Sequence, residues 1–189
     1  MSTRYAVIVV LTLIVWLQPA VAEEGVQFEV CYDFGCRTRA EINLSNEEWQ
    51  SVQEIFTADN PIDERKQMKL AVARMEVLAG QYSPIHQDLA MNMPVLQSAA
   101  DALNYSGQLD CIDESINTTL FLQMFSDHGW LQFHSVLDRA YRRSFITQHW
   151  AAQVEDRLSG ERYVIDSWFD ENGALPVLVS SKRWHDLSL

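Results

Sequence analysis

Cys111, His149 and Asp166 are the residues of this sequence whose types and order could carry out nucleophilic chemistry. A cysteine attacks as its thiolate, and because the free thiol has a pKa of about 8.5, a neighbouring group must take the proton. An imidazole can hold that proton, and a carboxylate can hold the imidazole in one orientation. The alternative for Cys111 is a small buried thiol without chemistry.

Cys111 lies in the stretch GQLDCIDESINTT, at the first position of a pattern that predicts a helix from Cys111 to about Asp127. His128 and Gly129 supply the stop signals that such a helix needs. The apolar residues that recur every four positions are Ile112, Ile116, Leu120 and Met124. Unpaired N–H groups at a helix start favour an anionic sulfur. Three flanking acids oppose it: Asp110, Asp113 and Glu114.

His149 is the best placed of the five histidines. His128 lies about 25 Å from Cys111 by helical rise and cannot reach it. His149 falls within the strand-like run ITQHWAAQV, and the next such run, RYVIDSW, carries Asp166. A turn centred on the Ser-Gly step of LSGE predicts pairs whose residue numbers sum to about 319, whereas 149 and 166 sum to 315. Side-by-side pairing therefore needs a turn centred two residues earlier, or a bulge.

The other two cysteines, Cys31 and Cys36, lie five residues apart in EVCYDFGCRTR, around the turn formers Asp33 and Gly35. A hairpin that closes there brings them within disulfide range, and two buried thiols are the alternative. If the pair is bonded, Cys111 is left as a lone thiol. In an oxidising compartment such a thiol must be either buried or used.

Two strands around the cysteine turn and two helices are predicted before the Cys111 helix. The first helix has a capping box of Ser45 and Glu48. The second begins at Asn60 and Pro61, a cap followed by a residue tolerated in a first turn, and is expected to stop at Gly80.

Residues 81–110 are irregular, and we expect them to form a groove wall or lid beside Cys111. The chain then changes character, with the strand-like runs WLQFHSVLD, FITQHWAAQVED, ERYVIDSWF and LPVLVSS separated by turn sequences. The predicted fold is therefore α+β, with helices first and an antiparallel meander second. The RRS stretch at 142–144 is expected to be a solvated turn, and the terminal KRWHDLSL to pack Trp184 onto the domain.

Residues 1–22 predict a cleavable secretory signal peptide. Arg4 gives a positive start, Ala6–Leu17 is an apolar run, and Ala-Val-Ala precedes a cut before Glu23. An uncleaved membrane anchor is the alternative, but the run is shorter than the ~20 residues that a span needs. Residues 23–189 suit a single domain, which we expect to be periplasmic or secreted.

The mature chain is strongly acidic. Removing residues 1–22 takes away Arg4 and no acid, so the 14 basic and 26 acidic residues become 13 and 26, a net charge of −13. Such a surface repels nucleic acids and anionic membranes, so neither is expected as a partner.

The stretches GQLDCIDESINTTLFLQMF, QHWAAQV and YVIDSWFDENG resemble the transglutaminase-like branch of the papain-like cysteine enzymes. In that branch a Cys opens a core helix, a His follows on a strand, and an Asp on the next strand completes the triad. The His149-Trp150 pair and the apolar run before Asp166 are typical of it, as are spacings of 38 and 17 residues between the three. The resemblance covers residues 107–175, and Ser167 replaces a frequent proline.

Within the branch, the chain is nearest in kind to bacterial periplasmic transglutaminase-like cysteine proteases. It also resembles a set of exported proteobacterial proteins with a GQ-x-DCIDE stretch. Some of the proteases bind calcium through acids beside the Cys, as Asp110 and Asp113 are here, but Ile112 takes a position where such a site requires oxygen. No metal and no cofactor are predicted.

The resemblance implies a papain-like core and a triad in which Cys111 attacks a carbonyl, His149 moves the proton and Asp166 orients the ring. Gln108 is a candidate oxyanion donor, with bonding of local backbone as its alternative role, and Trp150 is a candidate wall of the site. The implied function is hydrolysis of amide bonds in a protein or peptide substrate, or transfer of the same acyl group to an amine.

Two other functions compete with this one. The domain could keep the fold and serve as an inactive binding or inhibitory module, which the acids around Cys111 favour. A metal site that combines Cys111 with histidines has no supporting spacing, such as Cys-x-x-Cys or His-x-x-x-His.

Overall fold

The computed structural model describes residues 25–91, 106–143 and 148–186. Within them the chain is a mixture of helix and antiparallel sheet, which confirms the predicted α+β class. The predicted signal peptide, its cut before Glu23 and part of the loop expected beside Cys111 lie outside these residues. None of the described helices is long and apolar enough to cross a membrane.

The described elements follow one another as a hairpin, a group of helices, a meander and a short terminal helix. Their bounds are β1 (Val26–Tyr32), β2 (Thr38–Leu44), α1 (Asn46–Gln53), α2 (Pro61–Tyr82), a 3-10 turn (Pro84–Gln87), α3 (Cys111–Asp127), β3 (His134–Arg143), β4 (Gln148–Asp156), β5 (Arg162–Asp166), β6 (Val177–Ser180) and α4 (Ser181–Asp186). β1 and β2 pair with each other, and β3 to β6 pair in chain order. The sheet that carries His149 and Asp166 therefore consists of sequence neighbours.

The helix starts form as their local sequences predict. Ser45 and Glu48 make the reciprocal capping box of α1. The side chain of Asn60 accepts the N–H groups of Ile62 and Asp63, at 3.1 and 3.0 Å, and so caps α2.

The predicted stop of α2 at Gly80 is wrong, because the helix continues to Tyr82. Gly80 is instead a point of close packing. A Cβ at this position would lie 3.1 Å from the Cβ of His86 and 3.2 Å from Nδ2 of Asn172. The missing side chain lets two other segments approach α2 and does not end the helix.

The main core surrounds α3, which lies between the hairpin, α2 and one face of the meander. The fully buried apolar residues of α3 are Phe121, Leu122 and Phe125. They belong to one cluster with residues of the neighbouring elements, among them Phe28, Val30, Met68, Val72, Met75, Ala152, Val154 and Ile165. Burial of this apolar surface is the main contribution to the packing of α3 against the meander.

The opposite face of the meander is covered by α4. Trp184 is fully buried there against Ala140, Ala151 and Val164, as expected for the terminal segment. The expectation of a solvated turn at 142–144 is wrong for Arg142, which lies in β3, is buried, and donates from Nη1 to the Trp184 carbonyl at 2.5 Å. The meander is thus packed on both faces.

A second buried polar group ties α2 to the start of β3. The Glu64 carboxylate accepts a bond from Nδ1 of His134 at 2.6 Å and from the Phe133 N–H at 3.0 Å. Both side chains are almost completely buried. A buried carboxylate needs such donors, because desolvation without them is costly.

Glu64→Gln is therefore expected to lower the free energy of unfolding by about 2 kcal/mol, since an amide presents a donor to groups that themselves donate. Urea unfolding followed by circular dichroism measures this. Glu47→Gln, in the exposed first turn of α1, is the control and should change the value by no more than about 0.5 kcal/mol. Equal effects of the two substitutions would contradict the role of Glu64.

Candidate functional site

Cys111 is the first residue of α3, as predicted, and its position is fixed by a carboxylate cap. The Asp110 side chain accepts the N–H groups of Ile112 and Asp113 at 2.9 and 3.1 Å. Asp113 in turn accepts the Asp110 N–H at 3.1 Å. The two acids that flank the thiol are therefore engaged in starting the helix.

The predicted bridge between Cys31 and Cys36 is present, with the two Cα atoms 4.6 Å apart. Its turn lies against α3: the Cys36 N–H donates to Asp113 at 2.5 Å, and the Asn117 amide makes two bonds with the Cys31 backbone, at 2.7 and 2.9 Å. The disulfide thus stabilises the turn that packs beside the start of α3. Cys111 is the free thiol.

The Cys111 sulfur is half-buried and lies beside Trp150, near the start of β4. Burial raises the pKa of the thiol to about 11, and the charges of Asp110 and Asp166 act in the same direction. The backbone N–H of Trp150 opposes this as a hydrogen-bond donor to the sulfur. At neutral pH the resting thiol keeps its proton, so attack requires a base that removes it as the new bond forms.

His149 and Asp166 form a direct pair inside the protein. Nε2 of His149 lies 2.7 Å from Oδ2 of Asp166, and the two residues are 1% and 2% exposed. Since an ionised carboxylate only accepts, Nε2 carries the proton. Nδ1 is then the basic atom of the ring.

The strand register explains how the two residues meet. Ala152 pairs with Ile165, so residue numbers across β4 and β5 sum to 317, and extending this register by one places Asp166 opposite Ala151. The predicted sum of about 319 is wrong, because the turn is centred one residue earlier than expected. His149 and Asp166 are diagonal neighbours on one face, a separation that long side chains bridge.

The side chains of His149 and Asp166 lie against Trp184, on the face of the meander that α4 covers, whereas Cys111 begins the helix that packs on the other face. The sulfur contacts the backbone of Trp150, the residue after His149 in β4, and the charge of Asp166 raises the pKa of the thiol. Among the residues that the structure describes, no hydrogen bond joins the sulfur to the His149 ring, so proton transfer requires the two to approach further. Such tightening on substrate binding is common for catalytic groups.

Three aromatic rings enclose the imidazole. Trp168, Phe169 and Trp184 have ring centroids 4.9, 5.7 and 5.6 Å from that of His149. Trp184 also donates from Nε1 to Oδ2 of Asp166 at 2.7 Å. These rings exclude water from the pair and strengthen the hydrogen bond between the two side chains.

Gln108 and Trp150, the other two predicted site residues, make contacts outside the pair. Nε2 of Gln108 donates to the Gln87 carbonyl at 2.5 Å, and its Oε1 accepts the Leu89 N–H at 3.3 Å. Its amide thus bonds nearby backbone, and an oxyanion role for it stays a prediction. Trp150 contacts the sulfur through its backbone, whereas its ring packs on Tyr141, with centroids 4.5 Å apart.

Buried carboxyl groups near the site are a feature that the sequence interpretation missed. Burial raises the pKa values of Glu76, Asp88 and Asp113 to about 7, and it raises that of Glu114 as well. One available signal was Glu76, an acid four residues after Val72 on the apolar face of α2. Glu76, Asp88 and Asp113 are therefore partly protonated at neutral pH.

No group of three or more His, Cys, Asp or Glu side chains in the described ranges is arranged to hold a metal ion. Comparison of the chain with protein-family models, with curated proteins and with solved structures found no match.

The raised carboxyl pKa values predict that stability falls as the pH rises. From about pH 4 to about pH 7 the unfolded chain releases protons that the folded protein keeps, so unfolding becomes progressively easier. Each such group contributes at most about 1.4 kcal/mol per pH unit. Asp88→Asn preserves the acceptor for the Leu109 N–H and should flatten this dependence.

Urea unfolding between pH 5 and pH 8 measures the effect. The exposed Asp170, close to the site, offers a matched control, because Asp170→Asn should leave the pH dependence as in the wild type. A wild-type stability that increases over this range would show that the carboxyl groups are not held protonated.

Proposed function

We propose that this protein is an exported thiol hydrolase that cleaves amide bonds through an acyl-enzyme on Cys111, with His149 as base and Asp166 as its orienting partner. The observation that carries the proposal is the buried His149–Asp166 pair, with Nε2 bonded at 2.7 Å, together with a free thiol at a helix start whose sulfur contacts the backbone of the next residue along β4, Trp150. A solely structural histidine has no need of a free cysteine next to its strand.

The chemistry follows from the protonation states. The Cys111 sulfur attacks the carbonyl carbon of the amide as its proton passes to Nδ1 of His149, which becomes an imidazolium. Asp166 stabilises that charge through Nε2. The imidazolium then protonates the leaving nitrogen, the C–N bond breaks, and an amine departs.

The thioester that remains is released by water. His149 takes a proton from the water as the oxygen attacks, and the tetrahedral intermediate expels the sulfur, which regains a proton. The products are a carboxylic acid and the free thiol. An amine in place of water would give acyl transfer by the same steps, so the acceptor alone separates the two activities.

The negative charge on the tetrahedral oxygen requires donors. The Cys111 N–H lies at the first position of α3, where an N–H has no partner four residues earlier in the helix. It is the backbone donor that we assign to the oxyanion, supported by the positive end of the α3 dipole.

The order of the three residues along the elements supports a likeness to the transglutaminase-like enzymes. A Cys begins a core helix, and the His and the Asp lie on neighbouring antiparallel strands against which that helix packs. We include a papain-like core in the proposal on this ground. The amino-terminal hairpin with its disulfide is an addition to the residues that carry the likeness.

The compartment and the substrate belong to the same proposal. A disulfide fits an oxidising compartment, in agreement with the signal peptide predicted from the sequence. The net charge of −13 expected for the mature chain disfavours nucleic acids and anionic membranes. A protein or peptide amide is the remaining substrate class that the proposed chemistry accepts.

A binding module without catalysis is the second candidate, and the thiol favours it. Burial and two carboxylates raise the pKa of Cys111 to about 11, which disfavours a standing thiolate. In such a module His149 and Asp166 would form a structural pair. The two candidates differ in whether the reactivity of Cys111 depends on His149.

Acylation of Cys111 by an activated ester is the test of catalysis. We expect His149→Ala to slow it about 100-fold at pH 7, because general-base assistance is lost. Asp166→Asn should also slow it, since the ring loses its charged partner. Mass spectrometry of the intact protein measures the rate, and Cys111→Ser identifies the modified atom.

The controls use the same residue changes at a distance from the thiol. His128→Ala removes an exposed histidine at the other end of α3, and Asp170→Asn removes an exposed acid after β5. Both should react like the wild type. If His149→Ala also does so, the base assignment fails and the binding module is the better account.

A further inference from the structure

We propose that Trp184 is a positioning residue of the site, because its indole N–H holds the Asp166 carboxylate in the orientation that orders His149. This inference rests on the proposed function. It gives α4 a role in the reaction, beyond covering the sheet.

Oδ2 of Asp166 receives two donors in the structure. Nε2 of His149 and Nε1 of Trp184 both lie 2.7 Å from this single oxygen. A carboxylate on a strand can rotate about its side-chain bonds, and two donors from different elements restrict that rotation. The orientation of the imidazole is therefore set by β5 and α4 together.

Trp184 is itself held firmly. It is fully buried, and the Arg142 guanidinium lies over its ring, 4.4 Å from the centroid. Nη1 of Arg142 also donates to the Trp184 carbonyl. The indole is also stacked on the His149 ring, with 29° between the two ring planes. The indole thus lies against both members of the pair.

The hydrogen bond from Trp184 acts on the charge of Asp166. An N–H that donates to a buried carboxylate stabilises its ionised form. Without this donor, Asp166 takes up a proton more readily and no longer supports an imidazolium. Acylation of Cys111 should then fail at a higher pH than in the wild type.

The sharpest variant replaces Trp184 with 3-benzothienylalanine, which keeps the shape of the indole and has sulfur where the N–H was. We expect the acid side of the acylation–pH profile to move up by about one pH unit or more. Trp184→Phe should show the same shift with an added loss of packing. Trp130→Phe, in the aromatic cluster with Trp49, is the control for loss of a tryptophan.

A second measurement does not depend on reactivity. In a Cys111→Ser background, the Nε2 proton of His149, bonded to a carboxylate, should give a downfield NMR signal. The benzothienyl replacement should shift this signal or lose it to exchange with water, whereas Trp130→Phe should leave it in place. A residue that only packs would not move it.

The outcomes separate this inference from the proposed function. An unchanged His149 signal and an unchanged pH profile in the benzothienyl variant would overturn the role of Trp184, even where acylation still requires His149. If His149→Ala leaves the acylation rate of Cys111 unchanged, the proposed function is overturned. The NMR signal would still decide whether the indole orients the pair.

Discussion

The candidate site depends on the Asp166 carboxyl group, which lies inside the protein with 2% of its surface exposed. A buried carboxylate is costly unless donors surround it, and here the donors come from β4 and from α4. This requirement fixes two parts of the fold. β4 must pair with β5 in the register that brings His149 within reach, and α4 must return across the sheet. The geometry of the imidazole is a consequence of satisfying Asp166.

The surroundings of Cys111 are rich in carboxyl groups. Burial raises the pKa values of Asp88 and Asp113 to about 7, which leaves these groups partly protonated at neutral pH. The charges that add to the effect of burial on the thiol are those of Asp110 and Asp166. A site of this kind suits attack in which the proton leaves as the bond forms, and it suits a standing thiolate poorly.

Local signals in the sequence predicted much of this arrangement. The caps of α1 and α2, the start of α3 at Cys111 and the bridged turn all depend on residues within a few positions of one another. The sum that relates paired residues in β4 and β5 was missed by two, because the turn chemistry of LSGE allows more than one centre. The partners of Arg142 and Trp184 could not be predicted, since each is brought to the other by long-range packing.

The disulfide turn connects the hairpin of β1 and β2 to the start of α3. Residues 33–36 all have positive φ angles, and three of them are not glycine. Each such residue costs about 1 kcal/mol or more, so the turn would not hold this shape alone. The bridge, the Asp113 carboxylate and the Asn117 amide hold it together. Because Asp113 also belongs to the cap of α3, the shape of the turn and the placement of Cys111 are stabilised by the same side chain.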